Sequence, residues 1–143
     1  MTSSKLWLLL GSIFGCLSVA LGAMGAHGLK GALEARGLPA DDLTKYLTNW
    51  ETAARYQMYH ALALLAVGML AARGPSICAN LAGHAMTLGT LLFSGCLYAW
   101  VLGGPKWLVH VVPIGGTLLI IGWVCLIVAV VRQREQCAKS PAA

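Results

Sequence analysis

Residues 107–131 read WLVHVVPIGGTLLIIGWVCLIVAVV, an unbroken run without a formal charge. A helix rises 1.5 Å per residue, so about 20 apolar residues cross a hydrocarbon core of roughly 30 Å. This run spans that distance alone, and so does its counterpart at residues 6–26, LWLLLGSIFGCLSVALGAMGA. Two further uncharged runs, 56–72 and 74–105, lie between them. The first of these reaches spanning length only with the turn that begins at Trp50. The second exceeds one helix, and its Gly/Pro-flanked ends read as loop. The fold expected is all-α: one integral membrane bundle of four transmembrane helices over 1–143, with spans at about 6–25, 50–72, 81–102 and 107–131. Barrel strands would alternate with period two, which none of these runs does.

A chain with 58% hydrophobic residues, 10% charged residues and a mean hydropathy of +0.73 lies outside the range of water-soluble domains. Its net charge of +5 comes from scattered basic residues that flank helices, where they set topology or meet anionic headgroups. No aromatic-basic surface is left for nucleic acid. The partners expected are the lipid bilayer and a homo-oligomer or larger membrane complex. The five cysteines have no CxxC spacing and an odd count, so neither a disulfide framework nor a zinc knuckle is indicated. Cys137, past the last span, has the position of an acylation site. The first run also admits reading as a signal peptide cleaved near Ala26, against which stand its length and the three hydrophobic segments that follow.

Four of the five acids, Glu34, Asp41, Asp42 and Glu51, fall at or near the polar segment 26–49 that separates the first two spans. His27-Gly28 is expected to interrupt the first helix as it leaves the membrane. Leu29, Ala32 and Leu33 then share one arc of a short helix lying at the interface, with Gly37 as its C-cap. Pro39 turns the chain, and Leu43, Tyr46, Leu47 and Trp50 continue at helical spacing. Thr48-x-x-Glu51 forms a capping box and offers a competing start for the second span.

Along the first helix Gly11, Gly15, Ser18, Gly22 and Gly25 recur at alternating spacings of four and three, a mean period of about 3.5. Small residues in this pattern form a helix-packing seam where a second helix approaches closely. The seam serves either as a homo-oligomer contact or, the favoured reading, for packing within the bundle. The second helix has an unusually polar first half. Glu51 and Arg55 pair at i, i+4, and Ala53, Tyr56, Gln57 and His60 share an arc. In the fourth helix Pro113 is tolerated if the helix starts or kinks there. Basic residues are split evenly between the two sides. Discounting Arg55 inside its helix, and noting the compact basic flank after residue 131, places the termini in the cytoplasm.

His27, Arg55, Tyr56, Gln57, His60 and His110 fall in one leaflet half and form the candidate functional polar cluster. An ionisable side chain at membrane depth is costly and normally faces protein or water. His60 therefore admits several roles: a proton relay, an axial haem ligand with His27 or His110, or a copper or zinc ligand. The plainer reading, which is favoured, is a neutral histidine hydrogen-bonded to a carbonyl or tyrosine on a neighbouring helix. There is no phosphate loop, GxSxG, HExxH or buried acid pair.

Several stretches, GAMGAHGLK at 22–30, WETAARYQMYHALALL at 50–65, FSGCLY at 93–98, PIGG at 113–116 and Gly122-Trp123, resemble the YgdD/YwdK-type family of small membrane proteins. The resemblance extends over about residues 6–130, with Met24 departing from the aromatic residue of the family pattern. It implies a four-helix integral protein of the bacterial inner membrane or a mitochondrial relative, a retained first helix, and no established reaction or catalytic residue. The function expected is a non-enzymatic accessory, assembly or structural component without a cofactor. A small oligomeric transporter or proton-coupled channel using the polar half of helix two is the first alternative, and a haem- or metal-bearing subunit the second.

Overall fold

Among the described residues six α-helices carry nearly all of the backbone, and two of the joints between them are wide turns rather than breaks. The computed structural model describes residues 2–139, with side chains described as far as Gln133. Helix α1 (Ser3–Met24) passes through a π-turn (Gly25–Leu29) into the short α2 (Lys30–Glu34). Helix α3 is Ala40–Ala72, α4 (Ile77–Thr90) passes through a second π-turn (Leu91–Gly95) into α5 (Cys96–Val101), and α6 is Leu108–Lys139. The side chains of Arg134, Cys137 and Lys139, which enter the orientation and acylation readings, lie outside the described residues.

Three of these rods, Ser3–Glu34, Ile77–Val101 and Leu108–Gln133, are long and apolar enough to cross a membrane. At 33 residues α3 is longer than needed, yet it falls outside that group because Glu51, Arg55, Gln57 and His60 lower the hydropathy of its first half. Its position explains how it tolerates them. Helix α3 and the α4–α5 rod form the central pair, α1 lies along α3, and α6 lies along α4–α5. Among the described residues α1 and α6 make no close backbone approach, so the bundle is open between its two outer helices.

The pairs α1/α3 and α4/α6 approach closely because glycines face them. A Cβ at Gly11 would sit 2.8 Å from the Ala61 carbonyl oxygen, and one at Gly68 2.7 Å from Leu8 Cγ. On the other side, a Cβ at Gly115 would lie 2.5 Å from the Phe93 nitrogen and one at Gly122 2.6 Å from Met86 Cγ. Two indoles use the same device: Trp7 seats on Gly83 and Trp50 on Gly25. Lipid tails are as apolar as leucine, so such close van der Waals contact is what holds membrane helices together.

Several sequence expectations are corrected here. His27-Gly28 does not break the first helix; the chain widens into a π-turn and continues to Glu34. Of the expected arc, Leu29 and Leu33 are buried with Trp50, Leu97, Trp100 and Val101, while Ala32 is exposed. Thr48 does not start a helix, because α3 has already begun at Ala40, with Asp41 and Asp42 in its first turn to oppose the positive end of the dipole. Helix α4 starts at Ile77 rather than near residue 81, since Ser76 caps it by accepting from the Ala79 N–H at 3.2 Å. Gly37 does supply the left-handed turn after α2, at φ +68°.

Candidate functional site

The buried polar groups of α3 meet three neighbours: α1, the second π-turn and α6. Ser18 Oγ on α1 donates to the Ala54 carbonyl at 2.8 Å, and Ser94 Oγ, in the second π-turn, donates to the Ala53 carbonyl at 2.8 Å. In return Gln57 Nε2 donates to the Phe14 carbonyl at 2.9 Å, and Trp50 Nε1 donates to the Leu21 carbonyl at 2.8 Å. Each carbonyl has a second lone pair beyond its helical bond, so these donors fix helix register without breaking a backbone ladder.

His60 points the other way, toward α6, and is 4% exposed. Trp123 Nε1 approaches its Nε2 at 3.2 Å, while its Nδ1 lies 2.7 Å from the Tyr56 carbonyl oxygen. An indole N–H can only donate, so Nε2 accepts, and Nδ1 carries the proton and donates to the carbonyl. One neutral tautomer satisfies both bonds, with both ring nitrogens engaged. Axial ligation or proton relay by this imidazole would first have to break one of them.

Beside this pair a lateral cleft of about 600 Å³ opens between α3 and α6. Its walls are aromatic: Tyr56 stacks on Phe93 with ring centroids 4.7 Å apart, and Tyr59 and Trp123 complete the rim. Pro113, Gly116 and Thr117 line the opposite wall, where Gly116 carries no side chain to fill the space. Thr117 Oγ1 donates back to the Pro113 carbonyl at 3.0 Å, steadying the turn of α6 that contains the proline.

The structure thus brings together only part of the cluster read from sequence. Tyr56 and His60 share the cleft, while Gln57 turns toward α1. Arg55 points outward and pairs with Glu51, both largely exposed. His27 and His110 are exposed on the π-turn and at the start of α6, and neither makes a hydrogen bond or ring contact with His60 among the described residues. No three His, Cys, Asp or Glu side chains converge among the described residues. Of the seam, Gly11, Gly15, Ser18 and Gly25 face α3, with Gly15 in ordinary contact with Ala61, whereas Gly22 faces open space.

Sequence reasoning left Trp123, Tyr59, Phe93 and Ser94 out of the cluster, although all four fall in the stretches that carry the family resemblance. The available signal was chemical: a buried histidine needs a donor and an acceptor, and Trp123 is the indole on α6 at matching depth. The complementary glycines Gly83, Gly89, Gly115 and Gly122 were also missed, being divided between two helices and too sparse on each to show a period.

A family model described as "Protein of unknown function (DUF423)" matches residues 21–116. The UPF0382 membrane protein SAB0533 of Staphylococcus aureus (strain bovine RF122 / ET3-1) is 44% identical over 125 residues, 87% of this chain and 94% of that protein. The UPF0382 membrane protein YwdK of Bacillus subtilis (strain 168) is 40% identical over 129 residues, 90% of this chain and 98% of that protein. No solved structure matches the chain. Similarity of this degree, over nearly the full length of both partners, places the protein in the UPF0382 (DUF423) family of membrane proteins of unknown function.

Proposed function

We propose that the chain is a four-span integral protein of the bacterial inner membrane, with cytoplasmic termini, that works without catalysis as an accessory or assembly component. The observation carrying this reading is the contrast between its inside and its outside. The polar side chains buried in α3 are satisfied by neighbouring helices, whereas α1 and α6 leave apolar faces uncovered, including Leu9, Val19, Ile120 and Ile127. In this reading α3 crosses as the fourth span, sheltered by the apolar rods, and the bare faces of α1 and α6 dock on a second copy or another membrane protein. Photo-crosslinking side chains at Val19 and Ile127 are expected to give protein adducts in native membranes, and one at the buried Leu64 none. Adducts with lipid alone would overturn the docking role. A C-terminal alkaline phosphatase fusion is expected to be inactive, and activity would reverse the orientation.

The cleft beside His60 favours a second reading, a conduit used in an oligomer. Flux through liposomes that His60→Ala abolishes would support it, and unchanged flux would remove it.

A further inference from the structure

A second cavity, of about 1070 Å³, lies between the same two helices at the end of the bundle that carries the termini. Its mouth and its interior differ in chemistry. Arg73, at the C-cap of α3, and Arg132, on α6, are exposed at its outer end, and Ala66, Met69, Leu126 and Ala129 line it one to two turns further along the same helices. Among the described residues Arg132 Nη1 donates to Cys78 Sγ, at 3.5 Å, a weak acceptor. Among the described residues neither arginine pairs with a carboxylate. Two cations therefore face one mouth, and an apolar trough leads away from it. On the side of the cleft at His60 and Trp123 the lining of this trough ends at Ala66 on α3 and Leu126 on α6, six and three residues from those two side chains.

The register matches one kind of molecule. Nine positions separate Arg132 from Trp123, a rise of about 14 Å, which is close to one leaflet of a hydrocarbon core roughly 30 Å thick. A phosphate at the arginines would set the end of an acyl chain beside the His60–Trp123 hydrogen bond. A soluble anion has no use for the trough, and a neutral lipid has none for the paired guanidiniums. We infer that this furrow binds one anionic phospholipid, its phosphate held by Arg73 and Arg132 and an acyl chain lying between α3 and α6. Basic pockets between membrane helices on the cytoplasmic side hold anionic headgroups in this manner, and arginine offers the planar fork that phosphate oxygens accept from. The inference rests on the four-span reading for the lipid's placement, but its test does not depend on topology.

The test is native mass spectrometry of the full chain in mild detergent, titrated separately with phosphatidylglycerol, phosphatidylcholine and inorganic phosphate. One phosphatidylglycerol per chain is expected to be retained, with phosphatidylcholine at least about tenfold weaker and free phosphate not competing at equal concentration. The double variant R73Q/R132Q, altering two exposed side chains, is expected to weaken phosphatidylglycerol about thirtyfold with helix content unchanged. Ala66→Phe, which fills the trough and leaves both charges, is expected to weaken it as well. Equal binding of the two lipids, or unchanged binding by R73Q/R132Q, overturns the headgroup assignment. Competition by free phosphate, or full binding by Ala66→Phe, overturns the acyl trough. Any of these results leaves the crosslinking and fusion outcomes, and so the four-span reading, standing.

Discussion

Gly115 and Gly116 are adjacent on α6, and adding one methyl group to each should move stability in opposite directions. A Cβ at Gly115 would lie 2.5 Å from the Phe93 nitrogen, 2.9 Å from its Cα and 3.0 Å from the Gly89 carbonyl oxygen. All three are backbone atoms, so no rotamer change relieves the clash and α6 must move away from α4. That movement also loosens Leu119 against Gly89 and Met86 against Gly122. A Cβ at Gly116 would meet only the Phe93 ring, at 3.7 Å, an ordinary contact. Alanine exceeds glycine in a helix interior by about 1 kcal/mol at either position, so that gain cancels in the comparison. Overpacking costs typically about 1–3 kcal/mol. Gly115→Ala should therefore lose up to about 2 kcal/mol, while Gly116→Ala gains about 0.5–1 kcal/mol. A separation near 2 kcal/mol is about thirtyfold in the unfolding constant. Reversible unfolding in mixed micelles, followed by circular dichroism, measures it. If Gly116→Ala proved as damaging as Gly115→Ala, the close approach of α4 and α6 would be refuted.

The same logic separates two members of the α1 seam: Gly11→Ala meets the Ala61 carbonyl at 2.8 Å and should destabilise by about 1 kcal/mol, whereas Gly15→Ala, at 3.8 Å from Ala61 Cβ, should not. The micelle unfolding midpoint distinguishes them. Trp123→Phe keeps the ring beside His60 but removes the donor to Nε2, so a loss of about 1 kcal/mol is expected, and His60→Leu in that background should restore part of it. Tyr98 is buried against Trp50 with a hydroxyl that has no partner among the described residues, so Tyr98→Phe should leave stability unchanged or raise it by up to about 1 kcal/mol. A fall in its thermal midpoint would show that the hydroxyl is bonded. Arg55→Gln, removing an exposed i, i+4 partner of Glu51, should change stability by less than about 0.5 kcal/mol in the same assay.

Long apolar runs made three of the rods legible, because a run such as 107–131 has few other stable settings. The helical continuity of α3 from Leu43 through Trp50 was visible in spacing, but its central position was not, since hydropathy registers a helix's polarity and not its shelter. The break expected at His27-Gly28 failed for a local reason: a π-turn keeps backbone groups paired, so a glycine there widens the helix instead of ending it. The capping box at Thr48 failed because Asp41 and Asp42 mark an earlier start on the same helix. His60 was legible as an unusual side chain, but its partner depends on the register between α3 and α6, and no pattern on either helix alone encodes that.

The two grades of helix contact in this fold have different mechanical consequences. Glycine notches and side-chain bonds to carbonyls join α1 to α3, and glycine notches join α4 to α6, over several turns. The Ser94–Ala53 bond and the packing of Trp50 on Tyr98 join α3 to the α4–α5 rod at the loop end. Between α3 and α6, by contrast, the side-chain hydrogen bonds among the described residues are His60 with Trp123 and Gln133 with the Leu70 carbonyl, the latter long at 3.4 Å. Interhelical bonds of this kind in membranes average only about 0.6 kcal/mol. The furrow is thus weakly bonded, and it lies between two well-locked pairs. Any molecule seated there gains leverage over their relative position, and the His60–Trp123 bond is the contact that would register the change first.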